Sequence, residues 1–286
     1  MNGIKRAILH FFPWIGYFKR NGRRGYIITE KSLKTSASDN GNYPDFCFLA
    51  SVNSEVFDSF RKNEIYNVVL EHLTESIGNE YLEIILSRDT FDEITWELFK
   101  QNDLYGSPLC FNYTKIGIIS PTTLRYIKVL QDLIIKFGSL EDMDICEIGI
   151  GYGGQCRIIA SYFNVKSYTL VDLSQVIALA KTYLNKYVLS SEIRFLTMNE
   201  LNPKQKYDLV ISNYAFSELR LDIQECYQHK VIDNSSKGYI TYNRSTHSSH
   251  SENVYTLEDY IKKIPNLMIE DEMPVTDEKN KILFWS

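Results

Sequence analysis

The feature that most constrains the fold is Asp144-Ile-Cys-Glu-Ile-Gly-Ile-Gly-Tyr-Gly-Gly-Gln155, an apolar run that meets a cluster of glycines just where a helix is due. A short apolar run ending in glycines reads as a buried strand entering a tight turn. Glycine lets the backbone approach a ligand closely, and the first turn of the next helix offers unpaired amides to a polar or anionic group. Gly149, Gly151 and Gly154 satisfy G-x-G-x-x-G, so a nicotinamide or flavin enzyme is one reading. The same stretch also reads Glu-x-Gly-x-Gly-x-Gly, with Glu147 inside the strand two residues before the first glycine. An acid there suits a cofactor with a cationic amino-acid group better than a pyrophosphate. The plainer alternative is a strand–helix turn that binds nothing.

Around this motif the pattern alternates. Strands are expected over 144–150, 167–173, 193–198, 207–212 and 238–243, with helices over about 153–163, 174–187, 217–232 and 256–264. Such β/α alternation argues a parallel, doubly wound sheet. Two closing strands, 267–273 and 281–285, leave no room for a helix between them, so they form a hairpin and place one antiparallel strand in the sheet. Asp172 ends the second strand, nineteen residues after Gly153. There a carboxylate can accept both ribose hydroxyls of an adenosine, although it also suits the start of the helix that follows.

Upstream, Ser120-Pro121 opens a helix with Ser as N-cap, and Leu124, Ile127, Leu130, Ile134 and Phe137 form one apolar stripe that Gly138 ends. Residues 53–105 carry helical periodicity, and 30–45 read as a loop. The expected division is a mostly helical region over 1–119 and a sheet domain over 120–286. Residues 1–25 hold Lys5, Arg6, Lys19, Arg20, Arg23 and Arg24, no acid, and interleaved aromatics. They read either as a docked basic arm or as a peripheral contact with an anionic membrane surface.

Charge narrows the function classes. A formal net charge of −5 excludes a general nucleic-acid binder, which carries a basic surplus. The five cysteines are scattered and never spaced as paired metal ligands, which fits a cytoplasmic protein with reduced thiols.

Together, Glu147–Gln155, Asp172-Leu173, Tyr207-Asp-Leu-Val-Ile-Ser-Asn-Tyr-Ala-Phe-Ser-Glu218 and Gly238-Tyr-Ile-Thr-Tyr-Asn243 resemble the class I methyltransferases, and in particular the bacterial sugar O-methyltransferases. Asn102-Asp-Leu-Tyr-Gly-Ser-Pro108 and Ser120-Pro-Thr-Thr-Leu-Arg-Tyr126 look like parts of the same pattern, which covers about residues 100–286. Ile150 departs from it, standing where a small residue is expected. The resemblance implies a Rossmann-like, mostly parallel seven-stranded sheet and S-adenosyl-L-methionine as cofactor. It further implies an acceptor hydroxyl on a nucleotide sugar or a surface glycan, with the enzyme cytoplasmic or peripheral at the inner face of the membrane. It assigns Glu147 and the backbone of Gly149, Gly151 and Gly153 to the methionine moiety, and Asp172 with Leu173 to the ribose. Met198 and Asn199 flank the adenine. Ser212, Asn213 and Tyr214 face the transferred methyl, while Gln155, Arg125 and Tyr126 are within reach of the cofactor carboxylate. For Arg125 a solvated helix charge is the competing reading.

A hydroxyl is a poor nucleophile until its proton leaves, so a base is needed. His247 is ranked first, Glu218 second, with His250 in the same loop; all follow strand carboxyl ends, where ligand loops lie in parallel sheets. No metal is expected, because His247-x-x-His250 lacks a carboxylate pair. The rival functions are a methyltransferase of another small molecule, a nicotinamide-dependent oxidoreductase, and an inert cofactor-binding subunit in a glycan-assembly complex.

Overall fold

The computed structural model describes residues 42–243 and 254–286 in full, and 15–20 and 23–28 as backbone. The strands are β1 (Ile15–Arg20), β2 (Arg23–Ile28), β3 (Phe111–Tyr113), β4 (Gly117–Ile119), β5 (Asp144–Ile148), β6 (Ser167–Val171), β7 (Glu192–Leu196), β8 (Tyr207–Asn213), β9 (Ser235–Tyr242), β10 (Met268–Asp271) and β11 (Lys281–Trp285). Seven of them form one sheet in the order β10-β11-β9-β8-β5-β6-β7. β5 lies between β6 and β8, with Glu147 opposite Leu170 on one side and Ile211 on the other, all parallel. Only β11 runs against its neighbours, pairing Leu283 with Ile240 and with Ile269. The chain starts in the middle, winds outward through β6 to β7, then returns to β8 and winds the other way. This is the doubly wound, Rossmann-like, mostly parallel arrangement with one antiparallel strand that was expected. Its reversal between β5 and β8 opens a crevice at the strand carboxyl ends.

Both faces are covered, which is why β5 and β6 are buried apolar runs without alternation. One core joins Ile145, Leu170, Ile159 and Leu179 to Leu124 and to Phe46, Phe60 and Tyr81 from the first part of the chain. The other joins Ile148, Val210 and Leu283 to Phe216, Tyr227 and Tyr260. The helices that matter for the site are α1 (Asn42–Val52), α2 (Glu75–Ser87), α3 (Glu93–Lys100), α4 (Pro121–Phe137), α5 (Gly154–Tyr162) and α6 (Ser174–Leu184). They are followed by α7 (Ala215–Glu218), α8 (Leu221–Lys230) and α9 (Leu257–Lys263). α4 begins as expected, with the Ser120 hydroxyl accepting from the Thr123 amide at 3.1 Å, and ends at Gly138. α9 opens on the Thr256/Asp259 capping box.

Four expectations are corrected, and part of residues 1–25 gains a description. The apolar stripe of α4 is too narrow a description, because every residue from Pro121 to Leu133 is buried. α2 packs across the side away from the sheet, so Arg125 is not a solvated charge, and Lys128 satisfies itself against Asp132 at 2.6 Å. The helix expected over 217–232 is two, α7 and α8, parted at Leu219 and Arg220, both extended. Residues 1–25 include self-paired backbone, with Ile15 opposite Ile28 and Arg20 opposite Arg23. Asn21-Gly22 between those strands is the strongest short hairpin signal in a sequence. Finally, α1 begins at Asn42, inside the expected loop. No helix among the described residues is long and apolar enough to cross a membrane.

Arg61 fastens the first part of the chain to the sheet domain. It is fully buried and spends all five N–H donors. Nε and Nη2 reach the two oxygens of Glu71 at 2.6 and 3.2 Å. Nη1 reaches Asp103 at 2.9 Å and the Asn102 carbonyl at 3.2 Å, and Nη2 also reaches Ser120 at 3.1 Å. The guanidinium stacks 4.7 Å from the Tyr152 ring. Removing it strands two buried carboxylates, a loss of about 3–5 kcal/mol. Arg61→Met is therefore expected to lower unfolding free energy in urea by that amount, and Arg61→Lys to recover little, since three rotatable donors cannot reproduce the fork. A loss under about 1 kcal/mol in Arg61→Met would show that desolvation cancels the pairing.

Candidate functional site

The glycine loop bridges β5 and α5. Gly149 (φ +78°) donates its amide to the Val171 carbonyl at 3.0 Å, and a Cβ there would stand 2.0 Å from that of Ala215. Only glycine fits. At Gly151 (φ +52°) an added Cβ would come within 2.7 Å of Leu70 Cδ1 and 3.7 Å of the Tyr66 hydroxyl. Gly153 caps α5. The Tyr66 hydroxyl is buried and has no hydrogen-bond partner among the described residues.

Asp172 lies across from this loop. Its Oδ2 accepts from the Ile150 amide at 2.8 Å and its Oδ1 from the Leu173 amide at 2.7 Å. Ile150, the departure from the family pattern, thus serves through its backbone. The Gly151 amide also acts on this carboxylate, so the backbone of the glycine loop and of Leu173 fixes its orientation. Burial lifts the Asp172 carboxyl to about 6, against the pull of those amides. Glu147 is buried inside β5 and accepts from the Tyr168 hydroxyl at 2.8 Å. Burial, aided by the nearby Asp172 charge, pushes it to about 8. Its side chain thus reaches across to Tyr168 on the neighbouring strand β6.

At the carboxyl end of β8 the Ser212 hydroxyl donates to the Ile148 carbonyl at 2.9 Å and accepts from the Phe216 amide at 3.0 Å. It ties β8 to β5. Asn213 Nδ2 donates to Gln155 at 3.4 Å, and Gln155 Nε2 to the Tyr126 carbonyl at 3.2 Å, linking β8, α5 and α4. Tyr214 takes a left-handed backbone conformation (φ +67°), its amide held by the Thr241 carbonyl at 3.0 Å and its hydroxyl donating to Glu272. The Arg125 guanidinium lies 5.6 Å from the rings of both Tyr126 and Tyr214, with one nitrogen on the Leu70 carbonyl at 3.3 Å. Its Nε has no partner among the described residues.

The fold thus gathers Gly149, Gly151, Gly153, Asp172 and Leu173 at one side of the crevice, and Gln155, Arg125, Tyr126, Asn213 and Tyr214 at the other. Met198 and Asn199 form a turn at the end of β7, with Asn199 exposed. Glu218 closes the short helix α7, where it was expected to begin one. Its carboxylate accepts from Asn243 Nδ2 at 2.7 Å, and burial raises its pKa. His247 and His250 lie outside the described residues. Sequence reasoning missed Tyr66, Leu70, Tyr81 and Glu272. The first three sit in ordinary helical periodicity, and Glu272 is one acid in an acidic stretch, so nothing in the sequence singled them out.

No protein-family model matches the chain. Among curated proteins, the chain is 31% identical over 125 residues to the non-reducing polyketide synthase nvfA of Aspergillus novofumigatus, a match covering 40% of this chain and 5% of that protein. It is 28% identical over 152 residues to malonyl-acyl-carrier-protein O-methyltransferase 1 of Ilyobacter polytropus, covering 51% of this chain and 56% of that one. The chain therefore spans about half or less of the length of these relatives. Among solved structures it is similar to an S-adenosylmethionine-dependent methyltransferase from Clostridium acetobutylicum. That match has a TM-score of 0.42 at 14% identity, over 72% of this chain and 97% of that one.

Proposed function

We propose that the protein is an S-adenosyl-L-methionine-dependent O-methyltransferase acting on a hydroxyl of a nucleotide sugar or surface glycan. The observation that carries this reading is the pairing of Asp172, its carboxylate oriented by loop amides, with a glycine turn that admits no side chain. In this reading Asp172 and Leu173 hold the ribose, Met198 and Asn199 flank the adenine, and Glu147 with the Gly149–Gly153 backbone holds the methionine moiety. Arg125 meets the cofactor carboxylate with its unspent Nε, next to Gln155 and Tyr126. When bound, the cofactor supplies a sulfonium methyl for in-line displacement. The chain's own part is positioning, which contributes up to about 7–11 kcal/mol of such a barrier. Residues before 120 shape the acceptor side through Tyr81, which lines a small cavity with Tyr214.

The stretch 207–218 supports a sugar acceptor by its likeness to sugar O-methyltransferases, and the malonyl relative, named as an O-methyltransferase, supports transfer to oxygen. That relative also favours a second acceptor, a carboxylate oxygen on a small molecule. A panel of methyl glycosides, nucleotide sugars and short dicarboxylates, assayed for S-adenosylhomocysteine release, separates the two.

Titration calorimetry is expected to show binding of S-adenosylhomocysteine and none of NAD; preference for NAD would sink the reading. Asp172→Ala should weaken binding by roughly 1.5–3 kcal/mol. Gly151→Val should abolish it, as the new side chain would occupy the space beside Leu70.

A pH dependence follows from Asp172. Its ionised form accepts the ribose diol, and burial sets its ionisation near 6. Affinity for S-adenosylhomocysteine should hold above that pH and fall about tenfold per unit below it, as proton and ligand compete. Asp172→Asn should bind weakly with a flat profile between pH 5 and 7. A sloping profile in that variant would assign the titration to another group.

A further inference from the structure

We propose that the acceptor's proton leaves through Tyr214 to Glu272, a buried carboxylate on the loop between β10 and β11. The inference rests on the methyltransferase reading above and deepens it. Tyr214 stands at the carboxyl end of β8, next to Asn213 and across from the glycine loop, with its backbone pinned in a left-handed conformation. Its hydroxyl spends its only hydrogen on Glu272 Oε1. The phenol oxygen, beside the Tyr81 hydroxyl, is left to meet any further partner as an acceptor, which is what a hydroxyl about to lose its proton needs.

Glu272 divides its two oxygens. Oε2 accepts from the Thr276 hydroxyl, from the Thr276 amide at 3.3 Å and from Asn280 Nδ2 at 3.0 Å, and these bonds hold the loop. Oε1 receives Tyr214 alone among the described residues. The bond to Oε1 thus joins the loop between β10 and β11 to the end of β8. Glu272 is 4% exposed, and no Lys, Arg or His among the described residues pairs with it. A proton leaving the Tyr214 hydroxyl therefore has this carboxylate oxygen as its bonded partner. Both groups line one small cavity with Tyr81, Arg125, Tyr239 and Thr241.

The step balances. The acceptor oxygen bonds to the methyl carbon while the carbon–sulfur bond breaks and the sulfur keeps the electron pair. The acceptor proton passes to the Tyr214 oxygen as the Tyr214 proton passes to Glu272 Oε1. Tyr214 ends unchanged and Glu272 ends neutral, later returning its proton to solvent. Tyr214 touches the acceptor; Glu272 acts through it as a positioning and proton-receiving residue.

The first test needs no acceptor. 3-Fluorotyrosine is placed at position 214 of the full chain and its fluorine resonance is followed against pH, with and without Glu272→Gln. Losing the neighbouring negative charge should lower the apparent pKa of the phenol by about one unit or more. Tyr81 from α2, Arg125 and Lys128 from α4 and Tyr239 from β9 also face this cavity and are common to both proteins. An unchanged titration overturns the relay. The second test is turnover, read as S-adenosylhomocysteine release on whichever compound of the acceptor panel the wild type methylates. Glu272→Gln should lower kcat roughly a hundredfold with acceptor KM within about threefold, and Glu272→Asp should recover part. Tyr214→Phe should lose as much, and the double variant no more, since the pair acts as a unit. Near-normal turnover in Glu272→Gln together with a large loss in His247→Ala overturns the relay in favour of the loop after β9. If the wild type binds no S-adenosylhomocysteine and methylates nothing, it is the methyltransferase reading that fails, and the fluorine titration still decides the pairing.

Discussion

A buried arginine with every donor spent sets the geometry of this molecule. Arg61 draws Glu71, Asp103, the Asn102 carbonyl and Ser120 to one point and lies on the Tyr152 ring. Around it Asn102 donates to Thr123 at 2.9 Å and to the Tyr152 hydroxyl at 3.1 Å, and Asp103 receives the Ser120 amide at 2.7 Å. Three parts of the chain that chemistry requires together are thereby fixed: the segment carrying Tyr66 and Leu70, the first turn of α4, and the glycine loop that contains Tyr152. Such a cluster is costly to desolvate and is stable only when complete. Its completeness is what keeps Tyr66 and Leu70 against Gly151.

This network also explains two motifs that the sequence displayed without a reason. Asn102-Asp-Leu-Tyr-Gly-Ser-Pro and Ser120-Pro-Thr-Thr supply four of the groups gathered at Arg61 or beside it. In the structure they seat the glycine loop. The sheet was legible for a different reason. Parallel strands buried on both faces leave short apolar runs, and glycines and capping residues punctuate them, so β5 to β9 and the closing hairpin could be read one by one. The expected boundaries ran long mainly at carboxyl ends, as at 144–150 against Asp144–Ile148, because the residues just past those ends stay apolar while leaving the ladder.

What could not be read depended on partners distant in sequence. Arg125 looked like a helix surface charge because its own helix offers a stripe elsewhere; only α2, lying across that helix, buries it. Glu272 looked like one more acid among Glu270, Asp271 and Asp277, and its meaning comes from Tyr214 on another strand. The glycine loop and Asp172, by contrast, are local to two successive β/α units, and their spacing alone placed them face to face.

The reversed strand has a consequence of its own. Because β10 runs with the parallel strands and β11 runs back, the chain between them stays at the carboxyl edge of the sheet instead of crossing a face as a helix. The rim next to Tyr214 is therefore closed by a hairpin loop whose two ends are held by the sheet. Closing the ends of such a loop costs little entropy, because the strands on either side already hold them. The architecture thus separates a half built where the first two β/α units meet from a rim built by a single loop.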